Sequence, residues 1–269
     1  MTPVETYRAG IKITDKETYS AAARDLRRWV IENDPYRPLY HFTGLESWIN
    51  DPNGPIYHNG KYHLFYQYDP LVDGKRSKRC WGHAVSDNLV QWEDWPVALW
   101  PDTEYDKNGV YSGNTFIHKG MIHALYTGNV EGRKETYGML AWSEDGGVTF
   151  KKKMVMDTRQ RPNADSPVHW DAQIWKEGDI WCQLIGGTTE GKETGAAWLW
   201  KSRDLENWTL ERNIAPTIKY NEYWELPYLL SLNERHVLMV GSGNPYWLGR
   251  YDSKAWWTRA TTIRSIRTC

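Results

Sequence analysis

The chain carries almost no net charge, few cysteines and little phenylalanine, and each shortage narrows what it can be. Its 33 basic and 34 acidic side chains leave a formal charge of −1, so no field steers it toward nucleic acid or another polyanion. Cys80, Cys182 and Cys269 have neither metal-site nor disulfide-framework spacing. No run approaches the roughly 20 apolar residues of a membrane span. The opening MTPVETYRAGIKITDKETYS lacks the apolar stretch of a signal peptide, so the expected location is cytoplasmic, although a trimmed secreted protein would read the same way. No cofactor is expected, because Gly186-Gly187 reads as a turn or strand end with no P-loop Lys-Ser/Thr after it. Nothing in the sequence sets an oligomeric state.

Against 4 Phe stand 17 Trp and 17 Tyr, side chains that pair an apolar ring with a polar handle. Such rings suit stacking on sugars or bases, and β-rich folds also accumulate them. One helix is legible. Thr14 or Asp15 can cap it, and Tyr19, Ala22, Leu26, Trp29 and Val30 recur at helical spacing to about residue 32. Asn33-Asp34-Pro35 ends it, and short strands separated by Gly, Asn and Asp turns follow.

An internal repeat organises those strands. IYHNGKYHLFY (56–66), FIHKGMIHALY (116–126), IWKEGDIWCQL (174–184) and LLSLNERHVLM (229–239) each read as strand, polar turn, strand. Their turns begin at Asn59, Lys119, Glu177 and Asn233, at spacings of 60, 58 and 56. A second marker keeps phase: SDNLVQW (86–92), SEDGGVTF (143–150) and SRDLENW (202–208). Two markers with one period predict an all-β fold of propeller blades, about four strands each. The expected organisation is a helical lead-in over 1–35, an incomplete propeller of about four blades over 36–253, and an atypical tail over 254–269. No fourth marker appears near residue 260, so the last blade is expected to lack its outer strands.

Three carboxylates sit near the starts of first strands. Asp51 lies 8 residues before Asn59, Glu225 lies 8 before Asn233, and Asp171 lies 6 before Glu177. Even offsets predict a shared strand face, and innermost strands would turn these acids toward a common channel. Converging acids repel, which calls for a cation or for acid–base chemistry. A calcium or magnesium site usually adds a D-x-D-x-D loop, which is missing, so no metal site is assigned. Glycosidic cleavage needs one ionised and one protonated carboxyl group, a state that neighbouring charge promotes. Trp48, Trp170 and Trp224 lie within three residues of these acids and could stack on sugar or fill the channel wall.

WINDPNG (48–54) resembles the W-M-N-D-P-N-G motif of glycoside hydrolase family 32, and the match runs on through YHLFYQYDP (62–70), WGHAVSDNLVQW (81–92) and YSGNTF (111–116). The resemblance spans roughly 36–252. It implies a five-bladed propeller followed by a β-sandwich, with this sequence expected to stop short of the fifth blade and the sandwich, and retaining cleavage of fructosides. It further implies Asp51 as nucleophile and Glu225, in Trp224-Glu225-Leu226-Pro227, as acid/base. Asn50, Gln67, Trp81, Ser112 and Gly113 match positions that shape the family's fructose pocket. Trp48 and Trp170 join them as candidate substrate contacts. The family's R-D-P motif stands here as Trp170-Asp171-Ala172, so Asp171 is expected to hold sugar hydroxyls less rigidly.

The expected ligand is therefore a small carbohydrate such as sucrose or a short fructan, with no nucleic acid and no membrane as partner. The basic run Lys75-Arg76-Ser77-Lys78-Arg79 reads as a solvated loop, with a phosphate-bearing ligand as the alternative. His83, after Trp81-Gly82, reads as a structural hydrogen-bonder. A degenerate, non-catalytic sugar-binding propeller is the competing reading, and an arabinan-degrading propeller is a third.

Overall fold

The computed structural model describes residues 15–38, 40–44, 48–69, 71–72, 75–76, 79–132, 134–166, 172–215, 220–241, 245–251 and 261–263. Asp171, Trp170 and Cys269 lie outside them. The fold is an all-β propeller of four blades behind one helix.

Helix α1 (Lys16–Asn33) starts where Asp15 caps it, accepting the Thr18 amide at 2.8 Å. It buries Ala22, Ala23 and Leu26 against Tyr66, Tyr68, Cys80, Ala84 and Val97. Arg27 fixes its other edge, donating to Asp94 Oδ1 at 3.0 Å and to the Thr43 carbonyl at 3.1 Å.

The first blade runs β1 (Trp48–Pro52), β3 (Lys61–Asp69), β6 (Cys80–Ser86) and β7 (Glu93–Leu99), with β2 (Ile56–His58) also on β3. A small hairpin, β4 (Leu71–Val72) with β5 (Lys75–Arg76), sits between β3 and β6 in sequence. The second blade holds β8 (Val110–His118), β9 (Met121–Glu131), β10 (Glu135–Ser143) and β11 (Lys151–Met156) in chain order. The third holds β12 (Gln173–Glu177), β13 (Ile180–Thr188), β14 (Gly195–Ser202) and β15 (Thr209–Asn213). The fourth holds β16 (Tyr228–Leu232), β17 (Arg235–Met239), β18 (Tyr246–Gly249) and β19 (Thr261–Ile263).

The fourth blade corrects one expectation. Its outer strands are present, with Trp247 opposite Thr262 across β18 and β19, and the tail supplies β19. The missing marker is a turn signature, and strand pairing does not require it. In the blades that have it, the marker closes on itself through side chains. Ser202 Oγ accepts the amides of Asp204 and Leu205, and Asp204 Oδ1 accepts those of Glu206 and Asn207. The amide and side chain of Asn207 hold the Asp204 carboxyl well below the usual carboxylate range. Burial works against Asp145 in the second blade, but the Thr149 hydroxyl and amide outweigh it and hold that carboxyl at about 2.

The repeated hairpins also explain a register error. Asn59 (φ 50°), Lys119 (φ 49°) and Asn233 (φ 54°) open left-handed turns, as predicted. In the third blade Glu177 still pairs with Ile180, so the turn opens at Gly178. Asp171, which precedes β12, lies outside the described residues.

Two compact units divide the chain. One comprises Met1–Ala124, Gly128–Glu131 and Ala141–Lys153; the other comprises Leu125–Thr127, Gly132–Leu140 and Met154–Cys269. In the first, burial explains His83. Its Nε2 lies 3.0 Å from Nδ1 of His63, and Phe65 and Trp95 pack around both rings. Burial lowers the pKa of both imidazoles, and for His83 the neighbouring His63 lowers it further. The unfolded chain therefore takes up protons that the folded chain refuses once pH drops below about 6.5. Thermal stability is expected to decline as pH falls from about 7 to about 5, and His83→Gln should flatten that slope. A melting temperature that holds constant across the range in the parent chain would contradict this.

Cys80 and Cys182 are both buried, and burial pushes their thiols up, Cys182 to about 12. Neither is a nucleophile near neutrality.

Candidate active site

Asp51 belongs to the first unit and Glu225 to the second. Around Asp51, strand β1 is pinned to β3 at Ile49↔Tyr68 and Pro52↔Tyr66, with a register shift between the two pairs. Such an irregularity re-aims the side chains that fall within it, and here these are Asn50 and Asp51. Asp51 is half-buried, and the Ser112 hydroxyl on β8 donates to its Oδ2 at 2.7 Å. Asn50 beside it is exposed.

The rest of the motif builds the support. Asn53 is fully buried; its amide donates to the Phe65 carbonyl at 2.7 Å and its Oδ1 accepts the Gly113 amide at 3.3 Å. Gly54 has φ 71°, and a Cβ there would stand 2.2 Å from the Thr115 amide nitrogen, so only glycine lets β8 come this close. Thr115 in turn donates to the Gly54 carbonyl.

Gln67 and Trp81 occupy a layer beneath. Both are buried; Gln67 Nε2 donates to the Val110 carbonyl at 3.0 Å and Trp81 Nε1 to the Tyr111 carbonyl at 2.9 Å. Consecutive carbonyls just before Ser112 are thus held by two sequence-predicted pocket residues. Gln67 and Trp81 position Ser112, and Ser112 orients Asp51.

In the second unit Glu225 is half-buried, and it precedes β16 in an irregular stretch. Its carbonyl accepts the Gly241 amide at 2.8 Å, and Leu226 after it has φ 50°. The neighbouring Trp224 is fully buried and stacks on Trp247 with ring centroids 4.8 Å apart. Its amide donates to the Gly187 carbonyl at 2.9 Å and its indole N–H to the Tyr220 carbonyl at 2.6 Å. A Cβ on Gly186 would lie 2.3 Å from the Trp224 carbonyl oxygen, and one on Gly195 would lie 1.8 Å from its Cδ1. Of the two roles open to Trp224, the structure assigns the wall. Of the two readings of Gly186-Gly187, the strand end holds: the pair lies at the close of β13 and forms a bed on which Trp224 lies.

Sequence reasoning missed this glycine bed. Trp48 is half-buried, and the Arg79 guanidinium carbon stands 4.8 Å from its ring centroid and 4.7 Å from that of Tyr111. The last residue of the basic run is therefore half-buried against two aromatic rings, which corrects its reading as part of a solvated loop. Among the described residues no group of three His, Cys, Asp or Glu could hold a metal ion, and no helix is long and apolar enough to cross a membrane.

Residues 41–266 match the glycosyl hydrolases family 32 N-terminal domain. The chain belongs to glycoside hydrolase family 32. It is 34% identical over 213 residues to the sucrose-6-phosphate hydrolase of Escherichia coli, covering 76% of this chain and 43% of that protein. The Bombyx mori β-fructofuranosidase structure superimposes with a TM-score of 0.71 at 30% identity, over 91% of this chain and 56% of that one. The structure of sucrose-6-phosphate hydrolase from Lactobacillus gasseri superimposes with a TM-score of 0.73 at 26% identity, over 97% of this chain and 55% of that one. The chain thus spans less than half the length of its Escherichia coli relative.

Proposed function

We propose that this family member hydrolyses terminal β-D-fructofuranosyl bonds, as in sucrose or a short fructan, with retention of configuration. The observation that carries the reading is the Ser112–Asp51 hydrogen bond at the register shift of β1. A carboxylate held by a hydroxyl hydrogen bond at a strand irregularity is oriented for attack. In this reading Asp51 attacks the anomeric carbon and forms a fructosyl ester while Glu225 protonates the departing oxygen. Glu225 then takes a proton from water, which displaces the ester. Asp171 holds sugar hydroxyls and steadies the charged transition state. Asn50, Gly113, Trp48 and Trp170 line the sugar's path, with Gln67, Trp81 and Ser112 shaping it from behind. The substrates named for the relatives support a fructoside as ligand.

Glu225→Gln tests the assignment. Removing a general acid costs about 10²–10⁴-fold in rate when the leaving group needs protonation. The loss is expected on sucrose and should largely vanish on a β-fructoside whose leaving group departs unaided. Equal losses on both substrates would overturn the role of Glu225.

The non-catalytic alternative rests on one observation, the loss of both Asp171 neighbours from the family's motif. It predicts fructoside binding without turnover.

A further inference from the structure

We infer that the first unit carries a second binding site, for a free amino acid with an apolar side chain, in the cleft between the end of α1 and the turn that joins β6 to β7. The cleft has a volume of about 440 Å³, a size that holds a small molecule. Asp34 and Arg37 line it with opposite charges, and Ile31, Val90 and Trp92 line it with apolar surface. None of these residues belongs to the proposed fructoside chemistry.

The backbone after α1 brings the two charges to one cleft and keeps them apart. Asp34 caps the helix, its amide donating to the Val30 carbonyl at 2.9 Å. Asp34-Pro35-Tyr36-Arg37 then closes as a turn, the Arg37 amide donating to the Asp34 carbonyl at 3.3 Å, with Asp and Pro where such turns favour them. Asp34 Oδ1 accepts the Tyr36 amide at 3.0 Å. Arg37 Nη2 donates to the Thr43 carbonyl at 2.7 Å and to that of Gly44 at 3.4 Å. Among the described residues neither side chain forms an ion pair, with the other or with a third group. Asp34 Oδ2 and the Nε and Nη1 donors of Arg37 are thus left for a ligand. Arg37 is half-buried, and burial pulls its guanidinium below the ordinary arginine range although Asp34 works the other way. Arg27, the other guanidinium on the lining, is spent on Asp94 and the Thr43 carbonyl.

Opposite charges fixed apart in one cleft complement a zwitterion. A carboxylate on Arg37 and an ammonium on Asp34 each make a charge-assisted bond. A simple anion is repelled by Asp34, and a simple cation by Arg37. The apolar lining selects the side chain. Ile31 and Val90 are exposed, and the Trp92 indole N–H is spent on the Leu89 carbonyl at 3.2 Å, so the ring has only apolar surface to offer.

Calorimetric titration of the full chain with L-phenylalanine, N-acetyl-L-phenylalanine and L-phenylalaninamide tests the site. The parent is expected to bind phenylalanine at least about ten-fold more tightly than either derivative, since each lacks one charge. Arg37→Met should remove the preference over the amide, and Asp34→Asn the preference over the acetyl compound. Val90→Asp, at an exposed turn position, should weaken binding of phenylalanine by a similar factor without touching either charged partner. Asp51→Asn should leave phenylalanine affinity unchanged, which separates this cleft from the fructoside site. No binding of phenylalanine by the parent, equal affinities for the three compounds, or preferences that survive in Arg37→Met and Asp34→Asn would overturn the assignment, as would a loss of binding in Asp51→Asn.

Discussion

Asp51→Asn is expected to lower kcat on sucrose by on the order of 10⁵-fold while leaving the melting temperature within a degree or so of the parent. The amide keeps the size of the carboxylate and can still accept from Ser112, so the support around it survives. What disappears is the charge that attacks and the oxygen that becomes the ester. The large loss follows because two later events, collapse of the glycosidic bond and hydrolysis of the ester, both depend on that one oxygen. Steady-state kinetics with a coupled glucose assay reads the effect. A residual rate above about one per cent of the parent would mean that another group attacks, or that water attacks directly with inversion.

Gly195→Ala is expected to be the most damaging single-methyl change in the second unit. An added Cβ would stand 1.8 Å from Trp224 Cδ1, an indole that is fully buried and stacked on Trp247. Neither ring can retreat, since Leu184, Leu199, Leu229 and Leu238 belong to the same cluster. Overpacking of this kind costs more than about 3 kcal/mol, which lowers the melting temperature of a chain this size by roughly 10 °C. Activity should fall along with stability, because the backbone that presents Glu225 begins at Trp224. Differential scanning calorimetry measures the first effect, and kinetics at a temperature where the variant stays folded measures the second. A melting temperature within about 2 °C of the parent would show that Trp224 is not locked in place.

Much of the architecture is legible because hairpin turns and blade markers leave local chemical traces. Asn59-Gly60 and Asn233 need left-handed backbone, and the Ser-x-Asp/Asn pattern is a self-contained set of turn hydrogen bonds. Where a trace is lost, the inference fails although the structure does not. The fourth blade shows this most plainly, since β19 pairs with β18 without any such turn pattern in the sequence. Even offsets put two acids on one face only along an unbroken strand. Here β1 is separated from β2, and Glu225 precedes β16. Glu225 and Asp51 stood out because carboxylates next to tryptophan are chemically conspicuous. Gly195 did not, because its importance lies in what approaches it from a distant part of the chain. Composition was equally silent on which indoles are walls: Trp81, Trp224 and Trp247 are fully buried, whereas Trp48 is half-buried beside Arg79.

The covalent ester is the most direct test of the account. In Glu225→Gln, a β-fructoside with a leaving group that departs unaided should load the enzyme faster than water unloads it. Rapid acid quench, proteolysis and mass spectrometry are then expected to find one fructosyl unit on the peptide carrying Asp51. A fructosyl unit on any other carboxylate, or steady turnover with no covalent adduct and an inverted product, would contradict it.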